Sequence, residues 1–425
     1  MKPCKGSIVK AIGRLPSPIT CDKIKDIKKI IMKSIIIAIN NFFSNPKCVF
    51  SLGLLVVFVA TFLETIRGRN TNWMDYYDST MYFWSGLSPY TNEYVESRHI
   101  YFLYMPTFNV VFAPIYFLHH YIGPFVWNMG NYALTFLAVW TLPEYFRKYR
   151  LQIFLGMILL LEQGLFSCQF NIVQCYIALF SFSLLERGKY FWAIFLLTFA
   201  LCTKVYGGIE LGLLLCYPKF WRNVGLTLCC IAFWLLLPAV SLGFDGLMNT
   251  YQEWMTMINQ HHSDTDFPGI LFAYGLKPLL LPNYRLVQGA VLALLSVLFF
   301  LMHKRWNRIE FRTSVFATMM GFVILFSDCP ETHTYVISMP GYMMCYFCIW
   351  KNHTLWDKIL FWGLVIFMGL MPCDVFCPTP VHKLINDHFF VDIYIYFFIW
   401  LTIIYRTITY DYEKDTIYTP VAVTA

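Results

Sequence analysis

The sequence predicts an all-α protein that crosses a membrane many times. Of its 425 residues, 58% are hydrophobic and only 13% charged, about half the charged share of an ordinary soluble domain. The apolar residues fall in long blocks that lack the polar stripe a water-facing helix carries every 3.6 residues. Aromatic residues make up 19% of the chain and gather near block ends, where membrane interfaces favour them.

Twelve spans are expected, near 48–66, 124–142, 151–167, 172–186, 190–203, 207–217, 226–243, 286–303, 312–327, 336–350, 359–371 and 389–405. Several are shorter than the roughly 20 residues of a straight crossing, which implies helices packed in a bundle that opens to a cavity. Residues 1–47 hold ten Lys or Arg against two acids, Asp22 and Asp26. That excess ahead of the first span predicts a cytoplasmic N-terminal segment. The interleaved stretch Lys23–Lys33 suits contact with anionic membrane lipids, and nucleic acid is not expected as a partner. Val49–Phe62 lies too far in, and lacks the small-residue cleavage site, to be a removable signal peptide, so it reads as the first true span.

The basic loops then fall on the N-terminal side: Arg147 to Arg150, Arg187 and Lys189, Lys219 to Arg222, His303 to Arg312, and Lys351 to Lys358. The opposite, outer loops are 67–100, 168–171, 204–206, 244–285, 328–335 and 372–388. They are poorer in Lys and Arg and richer in Asp, Asn, Gln and His. Residues 101–118 are apolar, yet a full crossing there would reverse every later loop. Pro106 and Pro114 interrupt the segment, which reads as re-entrant or surface-lying. A transmembrane domain over 48–405 and a cytoplasmic tail over 406–425 complete the expected organisation. The fourteen cysteines lie mostly inside apolar blocks, where they act as small hydrophobes. Cys373 and Cys377 flank Asp374 in an outer loop and leave a disulfide open. No cysteine or histidine spacing fits a zinc site.

Five outer segments carry residues capable of chemistry. In the first loop, Asp75 begins an amphipathic helix ending at Gly86, followed by Pro89 and Tyr90. Asp75 has three readings: a carboxylate favoured by the helix dipole, a solvated loop acid, or a general base. Gln169 and Asn171 sit at an apex between two spans, as helix caps or as sugar-binding amides. Lys204 lies between two apolar half-spans, a costly place unless it snorkels or faces water or an anion. The loop 244–285 carries Asn259, Gln260, His261 and His262, with acids nearby. Adjacent histidines seldom converge on one ion, and no metal is expected. Finally, Ser327, Asp328, Glu331, His333 and Tyr335 close the end of a span. Glu162 and Glu210 lie within spans as structural or cavity-lining acids.

In this order the segments resemble glycosyltransferase family 87, polyprenol-phosphate-mannose-dependent mannosyltransferases of the GT-C membrane fold. The matching residues are Asp75-Tyr76, Tyr77, Gly86 and Pro89-Tyr90, then Tyr104-Met105-Pro106. Cys168-Gln169-Phe170-Asn171 is similar to a Gly-Gln-x-Asn pattern, with Cys replacing Gly. Ala200 to Lys204, Asn259-Gln260, and Ser327 to His333 follow. The last segment has Asp328 in place of the family's Pro and lacks its Trp before the His. The segment at Tyr104 has Met-Pro where the family has two prolines.

The resemblance implies a GT-C bundle of about 12 helices with an outer-face cavity in the plasma membrane. It implies one inverting displacement, moving a hexose from a polyprenyl-phosphate sugar to a glycolipid or polysaccharide acceptor. Asp75 would be the base, His333 would hold or polarise the acceptor, and Lys204 would bind the donor phosphate. Tyr77, Asp78, Tyr90, Tyr104, Gln169, Asn171, Asn259, Gln260 and Glu331 would contact substrate. No cofactor, nucleotide or metal is called for. The competing reading is a lipid or lipid-linked-sugar transporter, which intramembrane Lys204, Glu162 and Glu210 would suit. Transporters usually carry internal repeats and sites reachable from both sides; this chain shows no repeat, and its polar residues are one-sided.

Overall fold

The computed structural model describes residues 32–34, 37, 39–98, 101–265, 276, 283–327, 332–373 and 376–412, with side chains left out at 115, 116, 206, 262–265, 332, 387 and 388. The greater part of the basic N-terminal segment, Glu331 and the end of the tail lie outside these residues. The chain divides into two compact units, Met1–Gly53 and Leu54–Ala425. Among the described residues the first unit is helical, and the second holds every described residue of the candidate site.

The described residues form helices and no strand. The first helices are α1 (Pro46–Ile66), α2 (Thr71–Trp84), α3 (Asn92–Arg98), α4 (Thr107–Val111), α5 (Ala113–Tyr116) and α6 (Gly123–Trp140). The central part comprises α7 (Arg150–Phe166), α8 (Asn171–Glu186), α9 (Tyr190–Thr203), a 3-10 return Val205–Cys216, α10 (Phe220–Leu236) and α11 (Ala239–Thr265). It ends with α12 (Tyr284–Leu301), α13 (Ile309–Leu325), a 3-10 segment Thr332–Ile337, α14 (Met339–Met344), α15 (Leu355–Gly363), α16 (Thr379–His382) and α17 (Val391–Thr409).

Four stretches are long and apolar enough to cross a membrane: Pro46–Ile66, Glu144–Phe166, Tyr284–Leu301 and Val391–Thr409. A fifth crossing comes from Phe220–Leu236 taken with Ala239–His261, a pair bent by 91°. The twelve expected crossings are not reached by this measure. Several other apolar helices are too short to count alone: α8 and α9 have 16 and 14 residues, about 24 and 21 Å of rise. The spanning helices show the expected lipid-facing surface. On α1, Leu55, Phe58 and Phe62 are exposed, and on α12, Leu286, Leu294 and Phe300 are exposed. The chain is a multi-pass membrane protein.

Residues 101–118 hold only the five-residue α4 and the four-residue α5. At 1.5 Å per residue these rise about 14 Å together, too little to cross. Two other expectations need correction. The span placed at 226–243 stops at Leu236, and Pro238 marks the turn. The loop placed at 244–285 is helical as far as Thr265, and Gly243 just before it is a non-helical kink within α11. Its polar residues recur at every turn and hid the helix. Cys373 and Cys377 are both free thiols.

Hydrogen bonds define two ends of the bundle. At one, Arg150 and Arg187 reach back to the carbonyls of Leu142 and Thr141. Arg312, at the end of the basic run from His303, is buried. Its Nε and Nη2 donate to Glu186 at 2.5 and 2.7 Å, and the Tyr217 hydroxyl donates to the same carboxylate at 2.5 Å. A charge that deep needs such a partner. At the other end, α2, the 104–105 segment, the apex 167–171 and the turn at Lys204 converge.

Candidate active site

Helix α2 forms one wall of the site. Gly86, at φ +76°, ends it: the Leu87 amide donates to the Tyr82 carbonyl at 2.9 Å, closing the last turn in a conformation that favours glycine. Asn72 Nδ2 donates to the Ser167 carbonyl at 2.7 Å. Tyr76, 1% exposed, accepts the Phe170 amide at 3.1 Å and lies 3.3 Å from the Tyr104 hydroxyl. Its ring packs on Phe108 and Trp127. Trp127 in turn donates to the Cys168 carbonyl at 3.1 Å. An aromatic floor thus ties α2 to the apex before Asn171.

The apex is strained. Cys168 is buried at φ +51°, a region that L side chains seldom occupy. This is the position where the resembled pattern has Gly, and the backbone conformation explains that preference. The strain sets Gln169 and Asn171 side by side, with Asn171 Nδ2 3.4 Å from Gln169 Oε1.

Lys204 joins the apex from the other side. It is the extended residue between α9 and the 3-10 return. The return packs closely on α9: a Cβ added at Gly207 would meet Ala200 Cβ at 2.4 Å. The neighbouring Thr203 carbonyl accepts the Met105 amide at 3.1 Å, fixing the 104–105 segment beside the turn. Lys204 Nζ donates to Asn171 Oδ1 at 2.9 Å and sits 5.4 Å from the centre of the Tyr104 ring. Asn171 Nδ2 also donates to Thr334 Oγ1 at 3.2 Å, linking the 3-10 segment that carries half-buried His333. His333 packs beside Gly164 of α7. Tyr104, Gln169, Asn171, Lys204 and the His333 segment therefore form one cluster.

The other expected residues are distributed around it. Tyr90 is buried, and its hydroxyl donates to the Tyr104 carbonyl at 2.9 Å. Asp78 makes an ion pair with Arg98 at 2.9 Å. Tyr77 is half-buried on α2. Gln260 lines a cleft with Tyr90, whereas Asn259 is exposed on α11 and is not among the cleft's lining residues. Glu331 lies outside the described residues. Tyr76 and Thr334 were not singled out from the sequence. Tyr76 stood in the Asp-aromatic pair, but nothing local separated it from Tyr77.

Asp75 sits in the second turn of α2, because the helix begins at Thr71. The first turn contains no acid, so the dipole reading of this carboxylate loses its basis. Burial pushes the Asp75 pKa from 3.8 up to about 7; Asp78 adds to the rise and Arg98 opposes it. Burial also raises Asp78, against the pull of Arg98. Asp75 thus titrates near neutrality beside Asp78 and Arg98, while the Lys204 cluster holds an oriented ammonium over an aromatic ring.

The chain is thus a multi-pass helical membrane protein with a polar, aromatic-floored cluster at one end. The model of glycosyltransferase family 87 matches residues 102–327, a little over half of the chain, and the chain belongs to that family. No curated protein and no solved structure matches it.

Proposed function

We propose that the protein transfers a hexose, mannose by family likeness, from a polyprenyl-phosphate sugar to a hydroxyl of a glycolipid or glycan, at the outer face of the plasma membrane within a GT-C bundle. The observation that carries this reading is the Lys204 ammonium held by Asn171 at 2.9 Å over Tyr104. A fixed cation beside an apolar bundle suits a lipid monophosphate that enters from the bilayer. Asp75 takes the proton of the acceptor hydroxyl as that oxygen attacks C1. The C1–O bond to phosphate breaks, and the polyprenyl phosphate leaves with the electron pair. Lys204 stabilises the charge that builds on the leaving phosphate. His333 orients the acceptor, and Gln169 and Asn171 hydrogen-bond the sugar. Inversion at C1 follows from the single displacement.

The pKa near 7 supports Asp75 in this role, since a base works best when it titrates near the operating pH. The clustering of the polar residues at one end favours a transferase over a transporter. The test is transfer from a panel of polyprenyl-phosphate sugars by the purified protein and by its Asp75→Asn and Lys204→Met variants. Product from the parent and none from folded variants supports the reading. Full activity in folded Asp75→Asn removes Asp75 as the base.

A further inference from the structure

We propose that the cleft between the Tyr90–Asn92 segment and α11 binds the glycan of an uncharged acceptor. This rests on the transferase reading and names the acceptor class for it. The cleft measures about 460 Å³, a volume typical of small-molecule sites. Thr91 and Asn92 form one wall, and Asn249, Gln252, Thr256 and Gln260 the other.

The second wall is one face of a helix, since residues spaced three and four apart line up. Helix α11 carries two further faces. Leu247, Trp254 and Met257 are buried, while Phe244, Met248 and Met255 are 71%, 67% and 51% exposed. The polar row is thus distinct from an apolar surface on the same helix. A row that served only solvation would carry charges of both signs. This one presents amides and a hydroxyl, with Glu253 the one charged residue among the described residues that line the cleft. Amides and hydroxyls both donate and accept, as sugar hydroxyls require. Among the described residues no cation lines the cleft, and Glu253 repels an anionic head group.

Hydrogen bonds tie the walls of the cleft to the Lys204 cluster. Its buried floor residue Tyr90 donates to the Tyr104 carbonyl at 2.9 Å, and Tyr104 carries the Lys204 ammonium on its ring. Trp254 of α11 donates to the Leu103 carbonyl at 3.3 Å, fixing the helix to the same strip of chain.

The test is saturation-transfer-difference NMR on the full chain in lipid nanodiscs, with mannotriose and mannose 6-phosphate as probes. Thr256→Trp fills the cleft, and Gln252→Ala removes one amide; both positions are exposed, and a melting curve checks the fold. Mannotriose should give a signal that falls about tenfold in Thr256→Trp and by about threefold or more in Gln252→Ala. Mannose 6-phosphate should bind about tenfold more weakly than mannotriose. An absent mannotriose signal, one unchanged in folded Thr256→Trp, or a preference for the phosphorylated sugar overturns the proposal. Undecaprenyl phosphate supplies a separate arm. Its binding should require Lys204; if it does not, while mannotriose still occupies the cleft, the transferase reading fails and the cleft stands.

Discussion

Lys204 Nζ and Asn171 Oδ1 meet at 2.9 Å, at the junction of two helices that are separate in sequence. Asn171 offers an amide, which orients an ammonium and adds no negative charge of its own. A carboxylate at the same place would add one and would repel an incoming phosphate. Asn171→Asp should therefore weaken undecaprenyl phosphate binding by about tenfold or more, because like charges brought together at a site cost several kcal/mol. Equilibrium binding in nanodiscs measures it. Affinity equal to the parent's would remove the phosphate from this site.

Asp75 supplies a prediction in pH. Its carboxyl titrates at about 7, so transfer should rise as pH passes through 7 and level off above. Asp78→Asn removes a repulsive neighbour and should move the midpoint down, whereas Arg98→Gln removes an attractive one and should move it up. Opposite shifts from two substitutions on one side chain's surroundings are hard to obtain by general damage. A pH–rate profile of each variant decides the matter.

The same group affects stability. A carboxyl with a pKa of about 7 in the folded chain and 3.8 unfolded holds its proton more tightly when folded. Its contribution is therefore greatest below pH 4 and declines as pH rises to about 7. Asp75→Asn should melt higher than the parent at pH 8, with the difference shrinking toward pH 4. Melting curves at the two pH values give the comparison.

At the far end of the bundle, Glu186 and Arg312 form a bidentate pair almost closed to solvent, with side chains 1% and 3% exposed. Removing one partner strands the other charge. Arg312→Met should cost about 3–5 kcal/mol, and Glu186→Gln added to it should recover part of the loss. Denaturation of the single and double variants provides the measurement. Additive losses would show that the pair is not coupled.

Cys168 offers a backbone test. Its φ of +51° costs an L residue about 1–2 kcal/mol. Glycine would relieve that strain but lose a buried side chain, so Cys168→Gly should stay within about 1 kcal/mol of the parent. Cys168→Val adds branching where the backbone least accepts it and should lose about 2 kcal/mol or more. Melting temperatures in one detergent rank the three proteins.

Much of the helical architecture was legible because apolar blocks announce themselves. The segment expected at 172–186 emerges as Asn171–Glu186, and that at 190–203 as Tyr190–Thr203. The reading of 101–118 as non-crossing rested on two prolines, and the structure there has only short broken helices. Gln169, Asn171 and Lys204 could be singled out because polar residues at the ends of apolar runs need partners. Their mutual contact could not, since residues 171 and 204 meet only once α8 and α9 pack. The burial of Arg312 was not legible for the same reason: its partner Glu186 is 126 residues away. Tyr76 and Tyr77 are alike in sequence, and only the rotation of α2 decides which one is buried. Helix α11 was missed because three narrow faces of different chemistry do not form one periodic pattern.

The right-angled bend between α10 and α11 has a mechanical side. If α10 stands along the bilayer normal, α11 becomes a ledge, held at a fixed height by the chain that enters it. Beyond the kink at Gly243, the stretch from Phe244 to Thr265 makes that ledge about 33 Å long. Under the proposed function, a rigid shelf turns reach into a criterion of choice. An acceptor tethered by its own lipid gets its hydroxyl to Asp75 only when the head group is tall enough to clear the ledge and short enough not to overshoot it. Chain length would then be read as a distance, by an architecture that measures before it reacts.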